Sequence, residues 1–142
     1  LYLPRLGSCH FSAIALLATL GIVAVLFIGG RQPIAVGLIP HPWDKVAHAG
    51  VFALLGYAIG LSSNLRGWHK LAIAFFGALL AGAFDEWHQV YLPGREAGLS
   101  DFIADIIGGI FGTAFLAMKS SRRCISQLDV SPMRSPSQGN SR

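Results

Sequence analysis

From Phe11 to Gly30 the chain runs for twenty residues without a charged side chain. That is about the length a helix needs to cross the hydrocarbon core of a bilayer. The apolar core of a signal peptide is shorter, about 7–15 residues, and ends at a small-residue cleavage site. Here the run continues to Gly30, with Arg31 after it, so a retained helix over about 11–30 is expected, behind an N-terminal segment 1–10. Charged residues make up 13% of the 142-residue chain, about half the roughly 25% of a soluble domain. A soluble protein with an outsized apolar core would suit a longer chain, because small domains have much surface to cover. Lipid is therefore the solvent the sequence calls for.

Three more spans follow. Pro33, Pro40 and Pro42 break the stretch after Gly30, and Pro42 removes helical geometry from His41. A second helix is expected over 43–62, with Asp44 as its N-cap and Trp43 in the interfacial aromatic belt. A short polar link carries Asn64, Arg66 and Lys70. The apolar run Leu71–Phe84 is too short to span alone, so the third helix must continue through Asp85 and Gln89 towards Tyr91, about 70–91, until Pro93-Gly94 stops it. The fourth helix, about 101–118, opens near Ser100 or Asp101, each a suitable cap. The Ser-, Arg- and Pro-rich stretch 119–142 holds little that can pack, and is expected to be a disordered basic tail. The expectation is one all-α domain over 11–118, an integral-membrane four-helix bundle.

The basic residues set the orientation. Arg5, Arg66, Lys70, Lys119, Arg122 and Arg123 fall on one side of such a bundle, and Arg31, Lys45 and Arg95 on the other. The positive-inside rule puts both termini in the cytoplasm. Because these residues stand singly between apolar runs, no nucleic-acid partner is expected. Cys9 and Cys124 have neither metal-type spacing nor a framework of pairs.

Polar residues collect at the outer end. Asp44 and His48 are four apart on one helix, as are Asp85 and Gln89, and Asp101 and Asp105, so each pair shares a helix face. Stripes of small residues lead to these groups: Ala49, Ala53, Gly56 and Gly60; Ala78 and Gly82 before Glu86; Gly108 and Gly112 after Asp105. Helices in lipid associate through such stripes, which turns the acids towards the bundle interior. Ionisable groups placed there point to a site, although an ion-pair network that merely holds helices together would use the same residues.

The chemistry on offer is acid, imidazole and cation. His48 is a candidate general acid or base, held by Asp44 or another acid, with Glu86 and Asp101 as further catalytic candidates. Asp44, Lys45, Asp85, Gln89, Arg95 and Asp105 are binding candidates. Lys45 and Arg95 can pair with carboxylates or bind an anionic group such as phosphate, and Arg95 can do so bidentately. His48, Glu86, Asp101 and Asp105 are competent metal ligands, but no zinc-type spacing singles them out, so neither metal nor cofactor is expected. Ser100 reads as a cap, and no nucleophile motif or nucleotide fingerprint is present. Whether the site catalyses is left open. Transport ranks last, because the acids lie near one end instead of the midplane.

Asp44-Lys45-Val46-Ala47-His48 with Phe52, Asp85-Glu86-Trp87-His88-Gln89, Pro93-Gly94-Arg95, Ser100-Asp101 with Asp105, and Gly108 with Gly112 together resemble the VanZ-like family of small membrane proteins. The likeness covers about residues 43–117. One departure is Asp105, where the family commonly has Asn. The resemblance implies a polytopic protein and a link to the namesake's role in lowering sensitivity to the glycopeptide teicoplanin; it supplies no reaction. The expected setting is the bacterial cytoplasmic (inner) membrane. The expected partners are the lipid bilayer and an anionic envelope lipid or peptide. The alternative is a non-enzymatic membrane protein whose polar clusters clamp the helices or dock a partner.

Overall fold

The computed structural model describes residues 6–29, 39–40, 42–92 and 98–129. They form four α-helices: α1 (Leu6–Ala24), continued by a π-helical turn (Val25–Gly29), α2 (Trp43–Ser62), α3 (Gly67–Gln89) and α4 (Leu99–Asp129). No strand occurs among the described residues. Four helical stretches are long and apolar enough to cross a bilayer: Ser12–Gly29, which runs from α1 through the π-helical turn, Trp43–Ser62, Gly67–Gln89 and Leu99–Ser121.

Exposure is inverted relative to a soluble bundle. Leu54, Phe76, Leu80, Phe84, Phe111 and Phe115 are exposed, while Ala58, Ala74, Ala78 and Ala104 are buried. Large apolar side chains face outward because lipid is as apolar as they are, and small ones line the contacts because backbones must approach closely. The tightest approach is between α2 and α4. A Cβ on Gly108 would run into the backbone of Ala49, and one on Gly112 into the backbone of Ala53. The stripes expected to lead to the acids are thus the helix–helix contacts themselves. Phe52 and Leu55, both fully buried, fill the larger interior space.

Several boundaries differ from those expected. Asp44 is not the N-cap of α2. Pro42 holds that position without a side-chain bond, and Asp44 stands in the first turn. The carbonyls of Pro40 and Pro42 accept from the N–H groups of Trp43 and Lys45 at 2.9 and 3.2 Å, so backbone does the work assigned to a carboxylate. α3 starts at Gly67 because Asn64 (φ 51°) and Gly67 (φ 59°) turn the chain through left-handed conformations, which Gly and Asn tolerate best. α4 starts at Leu99, placing Ser100 and Asp101 inside its first turn, and it continues to Asp129, past the expected end at Met118. Nothing between Lys119 and Asp129 breaks a helix; Pro132 is the first residue that would. Residues 1–5 and 130–142, and the Pro93-Gly94-Arg95 turn, lie outside the described residues.

The helices alternate in direction. At one end Ser12 Oγ donates to the carbonyl of Ser62 at 2.9 Å, and Lys119 Nζ donates to Tyr57 Oη at 2.7 Å. At the other end the π-helical turn meets α3, with Phe27 and His88 rings 5.5 Å apart. The polar clusters gather at this second end.

Candidate functional site

The start of α2, the end of α3 and the start of α4 form the site. α2 and α4 are joined by two polar rungs. Lys45 Nζ donates to Asp101 Oδ1 and also lies 3.2 Å from Asp44 Oδ2. One turn deeper, His48 Nδ1 and Asp105 Oδ1 are 2.9 Å apart, a hydrogen bond that requires a proton between them. The partners are spaced three apart on α2 and four apart on α4, so both rungs fit one helix–helix seam. The rings of His48 and Phe52 lie nearly parallel, 13° apart in plane, with centroids 6.4 Å apart.

α3 closes the third side. Gln89 Nε2 donates to Asp85 Oδ2 at 2.8 Å, inside the bundle. Glu86 Oε2 accepts from the N–H of Gly98 at 2.9 Å, and the Gly98 carbonyl accepts from Asp101 N–H at 2.9 Å and from Phe102 N–H at 3.2 Å. Glu86 therefore ties the end of α3 to the first turn of α4. Its other oxygen, Oε1, is buried without a hydrogen-bond partner, as is Asp105 Oδ2. Asp105 can lie against α3 because Gly82 has no side chain; a Cβ there would stand 3.1–3.2 Å from Asp105 Cβ and Oδ2.

Of the residues singled out in the sequence, Asp44, Lys45, His48, Asp85, Glu86, Gln89, Asp101 and Asp105 come to this one end. Arg95 lies outside the described residues. His48, expected to be held by Asp44 or another acid, bonds Asp105 on α4. Lys45, expected to pair with a carboxylate or to bind an anion, bonds Asp101 and Asp44. Metal-competent atoms of His48, Asp85, Glu86 and Asp105 lie within 4.8 Å of one another. Asp85 belongs to this group and Asp101 does not, because Asp101 is held by Lys45. The signal was present in helical phase: Asp85 is one turn beyond Gly82, on the stripe that packs against α4.

Beside Glu86 an open groove of about 400 Å³ lies on the surface between α3 and α4, lined by Ala83, Glu86, Trp87, Val90, Gly98, Leu99 and Phe102. It is apolar apart from Glu86, and no sequence signal marked it. The Tyr57–Lys119 contact at the opposite end was also missed, since Lys119 read as the start of a tail.

No curated protein and no solved structure matches the chain. The sequence profile of the VanZ/LLP1 family matches residues 8–120, from the first helix through the membrane-spanning part of α4. With four membrane-length helices and the polar end they assemble, this multi-pass membrane protein belongs to the VanZ/LLP1 family.

Proposed function

We propose that the protein binds a lipid-linked anionic component of the cell envelope at the polar end of the bundle. The observation that carries this reading is the junction at Glu86, where the open apolar groove between α3 and α4 meets the buried polar cluster. A long apolar chain suits the groove, and a polar head suits the cluster. Arg31, Lys45 and Arg95 are the cations that the sequence assigns to this end. Arg95 can grip phosphate or carboxylate with its planar fork. Arg66, Lys70 and Lys119 lie at the opposite end, which on the positive-inside rule faces the cytoplasm and turns the site outward from a bacterial inner membrane. A contribution to teicoplanin tolerance would follow from withholding or altering such a component. His48 and Glu86 are the groups that would move protons in any processing of it.

The test is binding of a polyprenyl phosphate to the purified chain in nanodiscs, for wild type and Arg95→Ala. Loss of a charge-assisted contact worth about 1.5–3 kcal/mol predicts a drop of about tenfold or more. Equal binding would sink the reading.

A second reading has a specific observation behind it. The Lys45–Asp101, His48–Asp105 and Glu86–Gly98 bonds each join two helices, as a purely structural clamp would. Glu86→Gln separates the two readings, because a glutamine carbonyl can still accept from Gly98. If Glu86→Gln keeps the melting temperature in detergent and loses lipid binding, the clamp alone does not account for Glu86. If binding survives, Glu86 is structural.

A further inference from the structure

We propose that His48, Asp85, Glu86 and Asp105 form a binding site for one divalent first-row transition-metal ion. The four side chains come from three helices, and one ligand atom from each lies within 4.8 Å of all the others. Two oxygens of this group, Asp105 Oδ2 and Glu86 Oε1, are buried and have no hydrogen-bond partner. The Asp105 side chain is only 1% exposed, and its carboxylate is turned against α3 at Gly82, one turn before Asp85 and Glu86. A buried carboxylate oxygen without a donor is costly, and a cation at the centre of the group removes that cost. Orientation is already supplied. Gln89 holds Asp85 and Gly98 holds Glu86, hydrogen bonds of the kind that orient a ligand set.

The donor set selects the ion. One imidazole with carboxylates suits Mn²⁺, Fe²⁺ or Zn²⁺, whereas Mg²⁺ prefers oxygen ligands and keeps several of its waters. Four protein ligands leave room for a further oxygen on an ion that favours six. A phosphate or carboxylate oxygen of the lipid head would fit there, adjoining the groove at Glu86. This last step rests on the lipid-binding reading above; the ion site itself does not.

The full-length chain, purified in detergent and stripped with chelator, is titrated with Mn²⁺ and followed by electron paramagnetic resonance. One bound ion per chain is expected, with nitrogen hyperfine coupling from an imidazole, displaced by Zn²⁺ and resistant to Mg²⁺. His48→Gln and Asp105→Asn should each weaken binding by about a hundredfold, the upper end of what even outer-contact losses cost. His88→Gln, outside the group, should not. No stoichiometric Mn²⁺ binding, no nitrogen coupling in the wild type, or loss with His88→Gln but not His48→Gln would each overturn the site. The nitrogen coupling is read on wild type, so it does not depend on whether a variant folds. Polyprenyl phosphate binding, measured with and without Mn²⁺, separates the two proposals. Lipid binding without any Mn²⁺ binding overturns the ion site alone. Mn²⁺ binding without lipid binding overturns the lipid reading and leaves the ion site standing.

Discussion

Gly112→Ala should lower the stability of the purified bundle by about 1–3 kcal/mol, and Gly112→Val should prevent it from assembling. The added Cβ meets the carbonyl of Ala53 on α2. This is backbone, not the flexible end of a side chain, so relief requires α2 and α4 to move apart. Such a shift would pull on the Lys45–Asp101 and His48–Asp105 rungs at the end of the same seam. The control is Gly50→Ala, where nothing lies within 4 Å of the new Cβ. Alanine for glycine in a helix is by itself worth about 0.5–1 kcal/mol in favour of alanine. Gly50→Ala should therefore leave the melting temperature unchanged or raise it, while Gly112→Ala lowers it. Equal shifts in thermal melts in detergent would mean that α2 and α4 do not meet at Gly112.

Asp105→Ala should cost about 3–5 kcal/mol, the range found when one partner of a buried pair is removed. It strands His48 Nδ1 beside a void between α2 and α4. Asp105→Asn should cost far less, about 1 kcal/mol or below, because an asparagine carbonyl can accept from Nδ1–H in the same place. The pair of variants separates what the hydrogen bond does for folding from what the carboxylate does for a ligand. Melting temperature should follow the order wild type, Asn, Ala, while metal affinity falls in both variants. If Asp105→Asn and Asp105→Ala melt alike, the His48–Asp105 bond contributes nothing to stability.

Much of this architecture was legible because lipid leaves a sequence few choices. A run such as Leu71–Phe84 is too short to span, so Asp85 and Gln89 had to be helical, and they are. Pro42 set the start of α2, and the Gly108–Gly112 stripe announced a close contact. The start of α4 and its extension to Asp129 were less legible, since the stretch from Lys119 to Asp129 carries neither a breaker nor a clear stop. The site was legible as a set of residues but not as a set of bonds. Spacing along one helix left Asp44 and other acids open as partners for His48; a side chain on a packed seam reaches across to the neighbouring helix, and the rotation that selects Asp105 depends on how Gly108 and Gly112 dock. The same rotation gives Lys45 to Asp101 and leaves Asp85 to complete the group around His48. The groove at Glu86 depends on how the ends of α3 and α4 diverge, which no local pattern records.

The two rungs between α2 and α4 also bear on how the protein is made. Lys45 and His48 find their partners 56 and 57 residues later in the chain. At about 5–20 residues per second, α2, which ends at Ser62, is complete for roughly 2–9 s before Asp101 and Asp105 are synthesised. During that interval Asp44, Lys45 and His48 cannot enter lipid at low cost. The polar end of α2 must wait at the bilayer surface or in the shelter of the insertion machinery. The last helix to be made is thus the one that seats the second, and truncation before Asp101 should release a chain whose α2 is poorly anchored and open to quality-control proteolysis.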